Sequence, residues 1–274
     1  MPQPDNKLRI PETLRNVKSI IGIFSAKGGV GKSAISLQLA LALKEKGLKV
    51  GLVDADIYGP SQPVMLNSSP GELKLTKNEI IEPLTKKGIK FISMGLISGD
   101  KMPVIWRGPM VSGAVMQLLS QTEWGELDYL IVDTPPGTGD VQLTLLQRIP
   151  LTSAVVVTTP QKVSISDCKK GIEMINKLDV PISGLIENMS WFQPDSMDKK
   201  YYLFGKDGGK ELAKEYSLDL LAQLPLVELH EDLDLQNHEL LKIEFDNIST
   251  KVMDSVKNLK DKRSGGIPQI NITK

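Results

Sequence analysis

Apolar positions along the chain form two textures. Short runs such as Ile20 to Phe24, Leu52-Val53, Leu130-Ile131-Val132 and Val155-Val156-Val157 are apolar without alternation, as strands buried on both faces should be. They predict strands at 20–24, 49–53, 90–94, 129–132, 154–158, 182–187 and 220–223. Between the strands lie stretches patterned as helices, predicted at 32–46, 110–121, 141–148, 165–178, 209–216 and about 239–260. The first begins with Ile35, Leu37, Leu39, Leu41 and Leu43 and stops at Gly47, as C-cap glycines do. Residues 58–88 are a Gly/Pro-rich excursion with a hairpin expected at 73–76 and 79–84 around Lys77-Asn78. Strand followed by helix, repeated, implies an α/β fold: a doubly wound, mainly parallel sheet of about seven or eight strands with helices on both faces. Ligands bind such sheets at the carboxyl ends of the strands.

The glycine and acidic motifs fall at those ends. After the first strand come Ala26-Lys27-Gly28-Gly29-Val30-Gly31-Lys32-Ser33, and then a helix starts. Glycines let backbone N–H groups wrap an anion, and the helix N-terminus adds partial positive charge. Lys32 supplies a full charge to the outer phosphates of a nucleotide and Ser33 a hydroxyl to Mg²⁺, as in a P-loop NTPase. The pattern departs from the common P-loop: Ala26 stands where its first glycine would be, Ala34 follows Lys-Ser, and a second lysine, Lys27, lies inside the loop. Asp54 and Asp56 follow the second strand at i and i+2, so they project from one side of an extended segment. Asp54 is expected in the metal shell and Asp56 to orient or deprotonate the attacking water; the alternative for each is a turn cap. Asp133 ends another apolar strand, the position of a carboxylate that reaches Mg²⁺ through water. Gly137, in the Pro135-Pro136-Gly137 loop that follows, can present its N–H to the γ-phosphate. Asn188 follows the strand at 182–187, where an amide can read the adenine edge or cap a turn.

Composition narrows the classes. The 274 residues are 41% hydrophobic and 24% charged, which suits one large domain or at most two. We expect a polar arm or short lead-in helix at 1–17, a single ATPase domain at 18–262, and a disordered tail at 263–274. Formal net charge is zero, so no global basic field would attract nucleic acid or an anionic membrane. Neither a transmembrane stretch nor the apolar core of a signal peptide is visible, and a single cysteine, Cys168, fits a reducing compartment. A cytoplasmic protein is therefore expected. Cys168 reads as a buried, inert thiol on a helix. Arg107, between Trp106 and Gly108-Pro109, is an anion contact, part of a dimer surface, or plain surface. His230 and His238 are too loosely spaced for a metal site. The lysine-rich stretch 251–262 reads as a solvated helix, not a membrane anchor.

The loop Lys27 to Ser33 resembles the deviant P-loop of the ParA, MinD, nitrogenase iron protein and Mrp ATPases. In that group the extra lysine reaches a phosphate across a dimer interface. Further stretches are similar to the Mrp-type iron–sulfur cluster carriers: Asp54-Ala55-Asp56-Ile57-Tyr58-Gly59-Pro60-Ser61, Trp106-Arg107-Gly108-Pro109-Met110, Trp124 to Tyr129, Asp133 to Asp140, Thr159-Pro160-Gln161 and Glu187-Asn188-Met189-Ser190. The resemblance covers roughly residues 19–226. It implies a homodimer, ATP with Mg²⁺, slow hydrolysis, and delivery of iron–sulfur clusters to apo-proteins or assembly factors. One departure stands out. The family usually follows Glu-Asn-Met-Ser with a Cys-x-x-Cys pair whose thiolates hold a bridging cluster, and here residues 191–200 contain no cysteine. Asp195 and Asp198 keep the x-x spacing, but hard carboxylates are poor cluster ligands. The readings to separate are therefore a cluster-carrier ATPase, a nucleotide-switched scaffold without a cluster, and a MinD/ParA-like positioning protein.

Overall fold

A computed structural model describes residues 11–76, 80–98, 108–194, 199–227 and 238–264. Arg107, His230, Asp195, Asp198 and the Lys77-Asn78 turn lie outside the described residues. An eight-stranded sheet runs in the order β10-β9-β8-β1-β7-β2-β6-β5. Its strands are β1 (Ile20–Phe24), β2 (Val50–Asp54), β5 (Leu84–Lys86), β6 (Ile89–Ser93), β7 (Tyr129–Asp133), β8 (Ser153–Thr158), β9 (Ile182–Glu187) and β10 (Leu220–Gln223). All neighbours pair parallel except β5, which runs antiparallel to β6 at the edge.

The unbroken apolar runs divide residue by residue between two faces, because successive side chains in a strand point to opposite sides. Ile21, Ile23, Leu52, Ile131, Val155 and Val157 share one core with α1 (Lys32–Glu45) and α8 (Glu239–Ser264). On the opposite face, Ile20, Val53, Leu130 and Val132 pack against α4 (Gly108–Gln121) and α5 (Asp140–Arg148). On the same side, Phe24, Ala154, Val156 and Leu185 meet α6 (Lys162–Lys177) and α7 (Gly208–Glu215). Each strand therefore reads as continuously hydrophobic although each face uses only alternate residues.

Four elements differ from expectation. The stretch after the short β3 (Lys74–Leu75) and β4 (Ile81–Glu82) hairpin continues into the separate strand β5. Lys87 and Gly88 both take positive φ, the backbone a two-residue hairpin turn needs, and fold β5 onto β6. Two short helices, α2 (Gln62–Met65) and α3 (Met94–Ser98), fill ground read as loop or strand end. The lysine-rich end of α8 is more than a solvated helix. Leu241, Phe245, Ile248, Val252 and Val256 form a buried stripe, while Lys251 donates to the Leu221 carbonyl (2.7 Å) and Lys260 to that of Lys18 (2.9 Å). Of the lead-in, residues 11–17 pack down: Leu14 is buried, Thr13 Oγ1 donates to the Ser120 carbonyl (3.1 Å), and Val17 bridges to Leu127.

After β1 the chain crosses to β2 on one side, and β8 lies on the other. The carboxyl end of β1 is thus the point where strand order reverses, the place where such sheets bind ligands.

Candidate functional site

The loop between β1 and α1 sits at that point. Gly29 and Gly31 have φ of +79° and +83°, the left-handed region that favours glycine. At Gly31 there is a second requirement, since a Cβ there would collide with the Asn188 carboxamide. Asn188 Nδ2 donates to the Val30 carbonyl (2.9 Å), so the amide at the end of β9 holds the glycine loop in place. Lys27 is exposed on this loop and Lys32 is buried.

Sheet register assembles the acidic groups. Because β7 lies between β1 and β2, Asp133 pairs with Ile23 on one side and with Asp54 on the other. Lys32 Nζ forms an ion pair with Asp133 Oδ1, and both side chains are buried. Ser36 Oγ donates to the same oxygen at 3.0 Å. Asp133 Oδ2 accepts from Gln62 Nε2 at 3.0 Å, and that amide nitrogen also donates to the Ser33 carbonyl at 2.8 Å.

Asp54 is fully buried, and its oxygens accept from the Asp56 N–H (3.2 Å), the Gln62 N–H (3.2 Å) and Ser93 Oγ (3.0 Å). Burial, with the Asp133 charge second, pushes its carboxyl up to about 7. Asp56 Oδ1 accepts from the Tyr58 and Gly59 N–H groups, both at 3.2 Å, an Asx-type turn. Burial raises the Asp56 carboxyl too, while Lys32 opposes the rise.

The loop after β7 is pinned at several points. Thr134 Oγ1 donates to the Ile23 carbonyl (2.8 Å) and the Gly137 N–H to the Ser25 carbonyl (2.9 Å). Buried Gln142 donates to Thr134 Oγ1 (3.1 Å) and to the Pro135 carbonyl. Gly137 can therefore offer its N–H to a phosphate only by releasing Ser25.

Sequence reasoning missed several of these residues. Gln62 and Ser93 lie in segments with no chemical signature, and Ser36 looks like an ordinary helix serine. Glu187 shows in the sequence as a strand end and as part of the Glu187-Asn188-Met189-Ser190 block, with no role of its own. It is fully buried, and its carboxylate accepts from Ser190 Oγ (2.7 Å), Gln223 Nε2 (2.8 Å) and the Gly209 N–H. It thus ties together the ends of β9 and β10 and the start of α7. The spacing Glu187-Asn188 to Gly208-Gly209 could have signalled this only with the fold in hand.

Cys168 lies on α6, fully buried, and burial pushes its thiol up to about 12. At pH 8 its thiolate fraction is negligible, so iodoacetamide should label it at least about a hundredfold more slowly than a free thiol. Mass spectrometry of the folded protein against the urea-unfolded protein checks this; equal rates would show an accessible thiol. His238 is exposed at the start of α8.

A strand, a glycine loop with a left-handed cap, a helix carrying a lysine on a strand-end aspartate, and a second aspartate in register define a P-loop NTPase. A family profile of the ParA group, described as the NUBPL iron-transfer P-loop NTPase, matches residues 16–260. The chain belongs to that family. It is 47% identical over 223 residues to an iron–sulfur cluster carrier protein of Pseudomonas fragi, covering 81% of this chain and 78% of that one. It is 49% identical over 219 residues to one from Synechocystis, covering 78% of this chain but 62% of the relative, so it spans less than two thirds of that protein's length. A solved nucleotide-binding protein from Archaeoglobus fulgidus, in complex with ADP, superposes with a TM-score of 0.70 at 32% identity, covering 86% of this chain and 90% of that one.

Proposed function

We propose that this chain is a homodimeric, slowly hydrolysing Mg²⁺-ATPase of the iron–sulfur cluster assembly machinery, acting as one unit over residues 18–262 in the cytoplasm. The observation that carries the reading is the buried Lys32–Asp133 pair, bridged by Gln62 to Ser33 and set in register beside Asp54. In the nucleotide-bound protein, the N–H groups from Ala26 to Ser33 and the Lys32 ammonium hold the phosphates. Lys27 is exposed, as a lysine that serves a nucleotide across a dimer interface must be. Asn188 borders the glycine loop, where it would meet the base, and Gly137 would meet the γ-phosphate. Asp56 orients the attacking water through the oxygen its turn leaves over.

The residues present fit Mg²⁺. Ser33, Asp54 and Asp133 offer hard oxygen donors, and Mg²⁺ held with phosphates needs only one or two carboxylates. When bound, the ion would neutralise charge developing on the β- and γ-phosphate oxygens. Among the described residues no group of three or more His, Cys, Asp or Glu side chains converges on a common metal position. No helix among them is long and apolar enough to cross a membrane.

An iron–sulfur cluster is the cargo this family implies, and the residues present do not fit a thiolate-held one. The only cysteine is Cys168, buried on α6, where burial pushes its thiol up to about 12. That observation favours a second reading, a nucleotide-switched scaffold whose cluster ligands, if any, come from a partner apo-protein. Anaerobic incubation with iron and sulfide, followed by iron and sulfide analysis and visible absorbance, separates the two. Stoichiometric, transferable cluster supports the carrier. No cluster above a Cys168→Ser control supports the scaffold. In the same preparation, Lys27→Ala should keep ATP binding but lose hydrolysis and the ATP-closed dimer, read by phosphate release and light scattering. Wild-type turnover in that variant would remove the role given to Lys27.

A further inference from the structure

Gln62 bonds to the helix start after the glycine loop and to both strand-end aspartates, yet no role in the site follows from the chain's pattern. Its backbone N–H donates to Asp54 Oδ2, and its side-chain nitrogen donates to the Ser33 carbonyl and to Asp133 Oδ2. Both side-chain partners are acceptors only, a carbonyl and a carboxylate oxygen. The amide therefore cannot be turned over, and Oε1 must point the other way. That oxygen is fully buried and has no hydrogen-bond partner among the described residues. A buried carbonyl oxygen left unpaired forfeits the hydration it had in water, and natural sites seldom leave one standing without a ligand or water to take it. The contacts of the residue point to what would take it. Gln62 is hydrogen-bonded to Ser33, Asp54 and Asp133, the oxygen-donor set, and a Mg²⁺ bound there would fill most of its coordination shell with water, whose hydrogens can supply the missing donor.

We propose that Gln62 is a positioning residue for the metal, its Oε1 accepting from Mg²⁺-bound water while its Nε2 orients Asp133. This rests on the reading of the site as a Mg²⁺-nucleotide site. The double contact has a consequence for the Lys32–Asp133 pair. When Lys32 turns from Asp133 to a phosphate, Asp133 keeps Ser36 and Gln62 as donors, so the carboxylate stays oriented as the cation leaves it. The same residue carries the Asp54 contact on its backbone, so α2 moves with the metal shell rather than independently of it.

Gln62→Met, close in volume and without polar atoms on the side chain, tests this. Affinity for ATP is measured by calorimetry with EDTA and with Mg²⁺, and Mn²⁺ bound to the ATP complex is counted by electron paramagnetic resonance. Removing an outer-shell partner of a metal typically weakens metal binding 10–100-fold. We therefore expect at least about a tenfold loss in Mn²⁺ affinity, with the EDTA affinity for ATP kept within about twofold. Gln62→Asn, which keeps the amide but falls short by one methylene, should show the same loss and covers the case that the Met variant does not fold. A merely structural Gln62 would lower ATP affinity equally with and without metal, or leave Mn²⁺ affinity unchanged; either result overturns the proposal. A wild-type protein whose ATP affinity does not respond to Mg²⁺ would overturn the underlying site reading instead.

Discussion

Lys32→Ala is expected to abolish measurable ATP binding and to destabilise the nucleotide-free protein as well. The ammonium is buried against Asp133, with Ser36 and Gln62 on the same carboxylate. Truncating one member of a buried, hydrogen-bonded charge pair costs about 2–5 kcal/mol of binding, or roughly 30- to several-thousand-fold in affinity. The apo-protein suffers separately, because Asp133 is left in register beside Asp54 with no cation between the strands. Breaking a buried pair from one side costs about 3–5 kcal/mol. Titration calorimetry and urea unfolding read the two effects independently. Unchanged ATP affinity would sink the P-loop assignment. Lost affinity with unchanged stability would show that the Lys32–Asp133 pair contributes nothing to the resting fold.

Glu187→Ala is expected to have the second-largest effect, and it falls first on stability. Three donors converge on this buried carboxylate, from Ser190, Gln223 and the first turn of α7. A hydrogen bond to a charged group is worth about 1.5–3 kcal/mol, and each orphaned donor adds a desolvation cost. A loss of about 3 kcal/mol or more should appear in urea unfolding. Asn188, the next residue, should then loosen its hold on the Val30 carbonyl, and ATP affinity should fall with it. Glu187→Gln can keep an acceptor for Ser190 and Gln223 but then sets its NH₂ against the Gly209 N–H, so it should recover only part of the stability. A change within about 0.5 kcal/mol for Glu187→Ala would mean that the three donors find other partners.

These two residues differ in how visible they are. Lys32 is legible because its chemistry is local: strand, glycines, lysine and helix follow one another along the chain. Glu187 looks like any acidic residue at a strand end, because its partners come from Gly209 and Gln223, distant along the chain. The β5–β6 hairpin was hidden for a different reason. Its turn uses Lys87 at positive φ, a residue type that carries no turn signal. The buried stripe of α8 was obscured by its lysines, two of which reach backbone carbonyls, Lys251 that of Leu221 and Lys260 that of Lys18.

Local pattern determines the parallel strands, most of the longer helices, the glycine loop, and the placing of Asp54, Asp133 and Asn188 at strand ends, since period and backbone preference act over a few residues. The absence of a cysteine pair after Ser190 is likewise plain in the chain. Tertiary structure alone decides that β7 inserts between β1 and β2, which brings Asp133 beside both Lys32 and Asp54. It alone turns the Gln62 amide onto Ser33 and Asp133 and leaves its Oε1 without a partner among the described residues. The physical reason is that strand order and burial arise from packing the whole sheet between its helices, and a buried polar group acquires its meaning from neighbours that the chain supplies from far away.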